Sequence, residues 1–272
     1  MARKYSLSHL TVLGWTTPEM IYNAKLIGYD YVSIRNIYMG LKGEINYDLS
    51  GKNRLYKLTK KALADTEMKI HDIELAMIRD DRDVSSYEPA IEVAAELGAT
   101  DVISSIWSPN KGYYIEQFAK LCDIAAQYKL YVNLEFVTWA NVYDLKNAKE
   151  VVNTVNKSNA AFLIDTLHFY RSNVELSELD EIPESYLRIV HICDGPKEKP
   201  LNKEKLIYTG RDARLYVGEG AIDISAIIKR LPKDIILSIE LPHNQRVQDY
   251  GYTEHARRCL EIAKKYFANL TE

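Results

Sequence analysis

Residues Ala161 to Phe169 read AFLIDTLHF. Four apolar residues run into Asp165, and His168 follows three positions later. A short apolar run is the pattern of a buried parallel strand, and the polar residues that close it stand at its C-terminal end. Asp165 and His168 are therefore the first site candidates. Three other stretches repeat the design: Tyr131 to Phe136, YVNLEF, ends on Glu135; Leu187 to Cys193, LRIVHIC, carries His191; and Ile235 to Leu241, IILSIEL, ends on Glu240. Two Glu, one Asp and one His form an oxygen-rich set with one imidazole. Such a set suits one divalent ion, with Mn²⁺ the leading choice and Mg²⁺, Co²⁺ and Zn²⁺ also compatible. One carboxylate at a strand end is ordinarily a cap or an ion-pair partner. Four polar groups in series are different, because burying unpaired charge costs several kcal/mol each and brings no structural gain.

Outward from that stretch, strand-like and helix-like segments alternate along the whole chain. The predicted strands are Tyr5–Leu10, Tyr31–Ile34, Lys69–Ile78, Asp101–Trp107, Tyr131–Phe136, Ala161–Asp165, Leu187–Cys193 and Asp234–Leu241. Between and after them fall helices from Thr17 to near Gly28, then Asn53–Glu67, Ser86–Leu97, Tyr114–Tyr128, Tyr143–Asn156, Leu176–Leu179, Asp223–Leu231 and Glu254–Ala268. The first helix carries a cap residue followed by Pro18 at its opening, and Gly98 closes the third. Strict alternation at this length predicts an α/β chain folded as one (β/α)₈ barrel over residues 1–272.

In such a barrel the C-terminal strand ends open on one mouth, where active sites lie. Glu135, Asp165, His191 and Glu240 close strands five to eight and so converge there. Their intervals of 30, 26 and 49 residues fit one βα unit each, the last lengthened by the loop from Gly195 to Gly220. A loop of that length on a barrel mouth is expected to fold over a substrate, with Lys197, Arg211, Asp212 and Arg214 offering contacts. From the first half of the barrel, His9, Arg35, Glu74 and Trp107 are placed to reach the mouth. Trp15, Trp107 and Trp139 are candidates for an apolar wall. His71 reads as a core residue and His255, in the last helix, as a surface one.

Composition narrows the function. A net charge of −3, without a basic run, argues against a nucleic-acid partner. The N-terminal MARKYSLSHL has no apolar targeting core and no stretch approaches a membrane span. A cytoplasmic location is therefore expected, with a small molecule as partner and a homo-oligomer left open. Cys122, Cys193 and Cys259 lie in unrelated segments, which indicates neither a disulfide framework nor a thiolate zinc site.

The strand-end series, the motif DTLH at 165–168 and the segment RLYVGEGAID at 214–223 together resemble the xylose isomerase-like barrels, a superfamily of sugar and sugar-phosphate isomerases and epimerases that also holds dehydratases and endonuclease IV. The resemblance covers essentially the whole chain. It implies metal ligation by Glu135, Asp165, His191 and Glu240, with Glu135 and Glu240 also serving as the acid/base pair. It implies substrate contact by His168. The ketose 3-epimerase branch carries an Arg six residues after the metal-binding His, where this chain has Lys197; Arg214 is the guanidinium expected at the site. The activity implied is isomerisation or epimerisation through an enediolate, with dehydration of an inosose or dehydroshikimate type as the alternative. Endonuclease IV needs a His-rich three-metal cluster, and this chain has six His in all. A non-catalytic binding barrel would not need all four ligand positions filled.

Overall fold

Eight strands, buried at nearly every position, pair in sequence order and close on themselves in a computed structural model that describes residues 3–40 and 44–269. The strands are β1 Tyr5–Ser8, β2 Tyr31–Ile34, β3 Lys69–Ile78, β4 Asp101–Ile106, β5 Tyr131–Glu135, β6 Ala160–Asp165, β7 Leu187–Ile192 and β8 Ile236–Ile239. Every pairing is parallel. Closure comes from β8 against β1, with Tyr5 opposite Leu237 and Leu7 opposite Ile239. Parallel strands need crossovers, and helices supply them on the outer face: α1 Thr17–Ile27, α2 Arg54–Thr66, α3 Glu88–Glu96, α4 Lys111–Gln127, α5 Leu145–Val155, α6 Thr166–Arg171, α7 Ser177–Asp180, α8 Lys203–Asp212, α9 Ile224–Ile228 and α10 Asn244–Ala268. The chain is a (β/α)₈ barrel. Among the described residues, no helix is long and apolar enough to cross a membrane.

Most of the apolar core lies between the strands and the helices. A second, small cluster of Ile103, Leu163 and Ile189, with Leu75 against it, fills the barrel itself. Side chains alternate along a strand with period two. The residues two positions beyond that plug are Ser105, Asp165 and His191, so the alternation that buries the plug also aims Asp165 and His191 into the mouth.

Several boundaries differ from the sequence reading, each for a local reason. The first strand ends at Ser8, because His9 opens a 3-10 turn over His9–Val12. The fifth helix starts at Leu145, because Asp144 caps it by accepting the Asn147 N–H at 2.8 Å. The long segment after β7 is not an open loop: Asn202 accepts the Lys205 N–H at 2.9 Å and starts α8 within it. The last helix begins ten residues early, at Asn244, and is broken at Gly251, whose φ of 78° lies in the left-handed region. A short helix, α6, directly after Asp165 had no counterpart in the sequence reading. All three cysteines are buried and free.

His255 is a correction: it is fully buried, its Nε2 2.8 Å from the Leu241 carbonyl oxygen. Burial pushes its pKa down to about 4. The unfolded chain therefore takes up this proton first, near the ordinary pKa of about 6.5. The stability that neutral His255 confers is complete above about pH 6.5 and is lost as pH falls towards 4, by roughly 3 kcal/mol over that window. Urea unfolding of wild type and His255→Gln from pH 7 to pH 4.5 should show a steeper decline in the wild type. Parallel pH profiles would contradict this role.

Candidate metal centre

Glu135, Asp165, His191 and Glu240 are all buried, and one ligand atom from each lies within 4.8 Å of the others. Backbone register produces this convergence. Asp165 sits directly opposite His191, while Glu135 pairs two positions before Asp165, at Leu163. Glu240 follows the last residue of β8, its N–H reaching the Ile192 carbonyl at 3.4 Å. Four adjacent strand ends thus deliver four side chains to one point, as the spacing predicted.

The hydrogen bonding around them is uneven. Asp165 Oδ1 caps α6 by accepting the N–H groups of Leu167 and His168, at 2.8 and 3.1 Å. Its Oδ2 is left for the cluster. Arg214 enters between two of the carboxylates, NH1 2.6 Å from Asp165 Oδ2 and NH2 2.8 Å from Glu240 Oε2. Among the described residues Glu135 has no hydrogen bond or ion pair. The His191 ring makes no hydrogen bond: Nδ1 forms ion-pair contacts with Glu240 Oε2 at 3.3 Å and Asp165 Oδ2 at 4.0 Å without hydrogen-bond geometry, and Nε2 has no partner. The opposite end of the barrel shows what a structural buried carboxylate looks like. There Asp101 accepts from Arg188 Nε and NH2 at 2.6 and 2.9 Å and from Asn133 Nδ2 at 2.8 Å. A buried imidazole without a hydrogen bond, beside three carboxylates, fits a divalent cation.

The charges respond accordingly. Burial, and after it the charge of Glu240, raises the Glu135 pKa well above the carboxylate range. Burial acts the same way on Glu240 and Asp165 but is overcome, in Glu240 by His191 and then Arg214, and in Asp165 by Arg214 and then His168, so both are held down. His191 is raised to about 10, since Glu240 and the other carboxylates outweigh its burial. With Glu135 protonated, Arg214 and His191 balance Asp165 and Glu240, and a dication would take the place of the protons on Glu135 and His191.

His168 occupies the third position of α6, beside the cluster. Its Nδ1 accepts the Thr138 N–H at 3.3 Å and lies 2.9 Å from Thr138 Oγ1, which leaves Nε2–H as the donor available to a ligand. Burial lowers its pKa to about 4, so the ring is neutral. Trp139 meets His168 edge-on at 4.9 Å, and both line the mouth together with Trp107, Glu74, Arg35 and the four-residue cluster's Glu135 and Glu240. Trp15 packs instead on Tyr252, at 6.0 Å. His71 is a core residue as expected, paired with Asp72 at 2.9 Å.

Two proposed contacts do not reach the site. Both His9 ring nitrogens face backbone: Nε2 lies 2.9 Å from the Trp15 carbonyl and Nδ1 accepts the Arg35 N–H at 3.1 Å. His9 therefore fixes the turn that presents Arg35, leaving no atom for a ligand. Lys197 is exposed, and its carbonyl takes the Tyr170 hydroxyl at 3.2 Å. The cation six residues after His191 points to solvent because the chain turns away at Asp194. That carboxylate accepts four backbone N–H groups, from Gly195, Gly218, Gly220 and Ile222, at 2.8 to 3.1 Å. A Cβ on Gly220 would meet the Gly195 oxygen at 2.2 Å, so only glycine allows the approach. Leu215 pairs with Asp194 through two backbone hydrogen bonds of 2.9 Å, and this places Arg214 in the cluster. The GEG segment is thus a scaffold for Arg214. Sequence reading missed Ser8, whose Oγ lies 3.3 Å from both Glu74 Oε1 and Glu240 Oε1; a serine in a short strand gives no signal of this.

The family described as xylose isomerase-like TIM barrel matches residues 21–263. The chain belongs to that family. It is 29% identical over 163 residues to an inosose isomerase of Bacillus subtilis, an alignment covering 57% of this chain and 56% of the relative. The chain thus matches just over half the length of that relative. With an inosose isomerase of Bacillus velezensis it is 25% identical over 88% of this chain and 89% of the other. Among solved structures, the IolI protein with a bound zinc atom superposes with a TM-score of 0.82 at 20% identity over 99% of both chains. D-allulose 3-epimerase from Methylomonas sp., in complex with D-allulose, gives 0.69 at 17% identity, covering 97% of this chain and 96% of that one. These two likenesses establish the fold.

Two outcomes follow from the geometry. Mn²⁺ titrated into metal-free protein, followed by electron paramagnetic resonance of the free ion, should bind at one equivalent per chain. Asp165→Asn should abolish tight binding with little change in far-ultraviolet circular dichroism; an unchanged stoichiometry would remove Asp165 from the ligand set. A Cβ at Gly210 of α8 would lie 2.3 Å from the Trp139 ring. Gly210→Ala should therefore lift α8 and raise the exposure of Trp139, seen as stronger acrylamide quenching of fluorescence than in wild type.

Proposed function

We propose that the protein is a divalent-metal-dependent isomerase or epimerase of a sugar or related polyhydroxy carbonyl compound, working by proton transfer through an enediolate. The observation that carries this reading is the pair Glu135 and Glu240, two buried carboxylates within 4.8 Å of each other that also line the mouth cavity. The zinc atom named with the IolI structure and the polyhydroxy ketones named for the inosose isomerases and the allulose epimerase support it. Glu135, Asp165, His191 and Glu240 would hold the ion, Mn²⁺ being the first choice. When bound, the ion supplies Lewis acidity that polarises the hydroxy-carbonyl group and stabilises the negative charge of the enediolate.

The chain's own residues account for the remaining steps. One of Glu135 and Glu240 removes the carbon-bound proton and the other returns one; return at the neighbouring carbon isomerises the substrate, and return to the opposite face epimerises it. His168 donates its Nε2–H to a substrate oxygen, because Thr138 holds the opposite nitrogen as acceptor. Trp107 and Trp139 form the apolar wall, and α8 covers the mouth, so that proton transfer takes place away from bulk water. Arg214 balances Asp165 and Glu240 and keeps both ionised.

Solvent exchange tests the chemistry. Metal-loaded protein incubated in D₂O with inososes and ketoses should place deuterium on the carbon next to the carbonyl, and chelation should stop it. Glu240→Gln should slow the exchange by roughly 10²-fold or more, the usual loss for a positioned acid/base group. Product without deuterium would indicate an internal hydride shift and overturn the proton-transfer step. Loss of a β-hydroxyl would instead reveal a dehydratase.

A further inference from the structure

Directly outside the metal centre lies a second, larger cavity of about 390 Å³. It is continuous with the mouth, since Leu10, Arg35, Leu75 and Arg211 line both spaces. Its volume is that of a small-ligand pocket. Its character differs from a neutral sugar site, because two guanidinium groups from different elements face the same space: Arg35, at the end of β2, and Arg211, from the last turn of α8.

Neither arginine is fully satisfied by protein. Arg35 Nε is buried without a hydrogen-bond partner, and NH2 forms one ion pair, with Glu74 Oε2 at 3.5 Å. Among the described residues Arg211 makes no ion pair or hydrogen bond. Besides Glu135 and Glu240 of the cluster, three carboxylates line these spaces, and each has a further partner of its own. Asp212 Oδ1 accepts from Asn244 Nδ2 at 2.6 Å, Glu44 Oε1 from the Met39 N–H at 3.2 Å, and Glu74 Oε1 from Ser8 Oγ at 3.3 Å. Arg211 is exposed as a residue, yet burial of its charged end and, after it, the charge of Arg35 lower its pKa. Two cations that oppose each other across a cavity have no structural benefit unless an anion comes between them, and the planar guanidinium fork matches carboxylate and phosphate oxygens.

Building on the proposed isomerase reading, we infer that the substrate carries an anionic group, a carboxylate or a phosphate, at the end of its carbon chain remote from the hydroxy-carbonyl, held between Arg35 and Arg211. The metal centre grips the reacting end and the arginine pair grips the other, which fixes the register of the chain over Glu135 and Glu240. Because Arg211 belongs to α8 and Gly210 beside it rests on Trp139, an anion bound there ties the cover helix to the barrel.

Matched pairs of ligands test this by calorimetry, in metal-free and Mn²⁺-loaded protein: D-fructose against D-fructose 6-phosphate, and D-glucose against D-glucuronate. At least one anionic member should bind roughly tenfold or more tightly than its neutral counterpart, the effect of a charge-assisted contact. A preference confined to the phosphate assigns a sugar phosphate, and one confined to the carboxylate assigns a sugar acid. In Arg211→Gln, and separately in Arg35→Gln, the ratio of the two Kd values should fall towards one. Arg211 is exposed, so its variant keeps the test valid if Arg35→Gln folds poorly. Ratios near one in the wild type, or ratios unchanged in both variants, would overturn the inference. The comparison in metal-free protein does not depend on the metal or on exchange, so it decides the anion site even where the isomerase reading fails.

Discussion

Three carboxylates and an imidazole crowded into a buried point are the constraint on which the mouth of this barrel depends. At a separation of 4.8 Å or less, two ionised carboxylates repel by about 3 kcal/mol even at an effective dielectric of about 20. The protein answers with one buried arginine, Arg214, which reaches Asp165 and Glu240, while His191 faces Glu240 without a hydrogen bond and Glu135 has no ion pair among the described residues. A site that balances its charge by holding protons on Glu135 and His191 is poised for a cation. It is also the reason that so much of the surrounding structure serves to keep Arg214 in place.

That support runs through backbone. Asp194, directly after Cys193, gathers four N–H groups and pairs with Leu215, so the chain after β7 leaves the barrel, forms α8 and returns at a fixed point beside β8. The return carries Arg214 into the cluster, and Arg214 Nε then donates to the Gly210 carbonyl at 2.7 Å, which ties α8 to the same residue. One side chain therefore links charge balance at the metal centre to the position of the helix above it. The two are mechanically joined, and a change in one is felt in the other.

Glu135, Asp165, His191, Glu240 and His168 stand on the floor of the site. Above it stand Trp139 against Gly210 and the Arg35 and Arg211 pair. This division is physically reasonable, because enediolate chemistry needs the same groups for any hydroxy-carbonyl compound, while the outer wall has only to recognise what the substrate carries beyond it.

The amino-acid sequence by itself determined the fold and the four strand ends whose polar side chains converge at the mouth. Both depend on local periodicity: eight strand-like runs alternating with helical ones admit few topologies, and a polar residue at the end of a buried run has one direction in which to point. His168 was legible for the same reason, being three residues from Asp165, although the cap that Asp165 places on α6 was not. What only the tertiary structure decided were contacts between residues far apart in the chain. Sequence could not show that His9 spends both nitrogens on backbone, that His255 is buried against Leu241, that Lys197 turns to solvent while Arg214 enters the cluster, or that Arg35 and Arg211, 176 positions apart, face one cavity. Side-chain partners of this kind are set by where the barrel closes and how its loops return, and the period of a strand or helix carries no information about either.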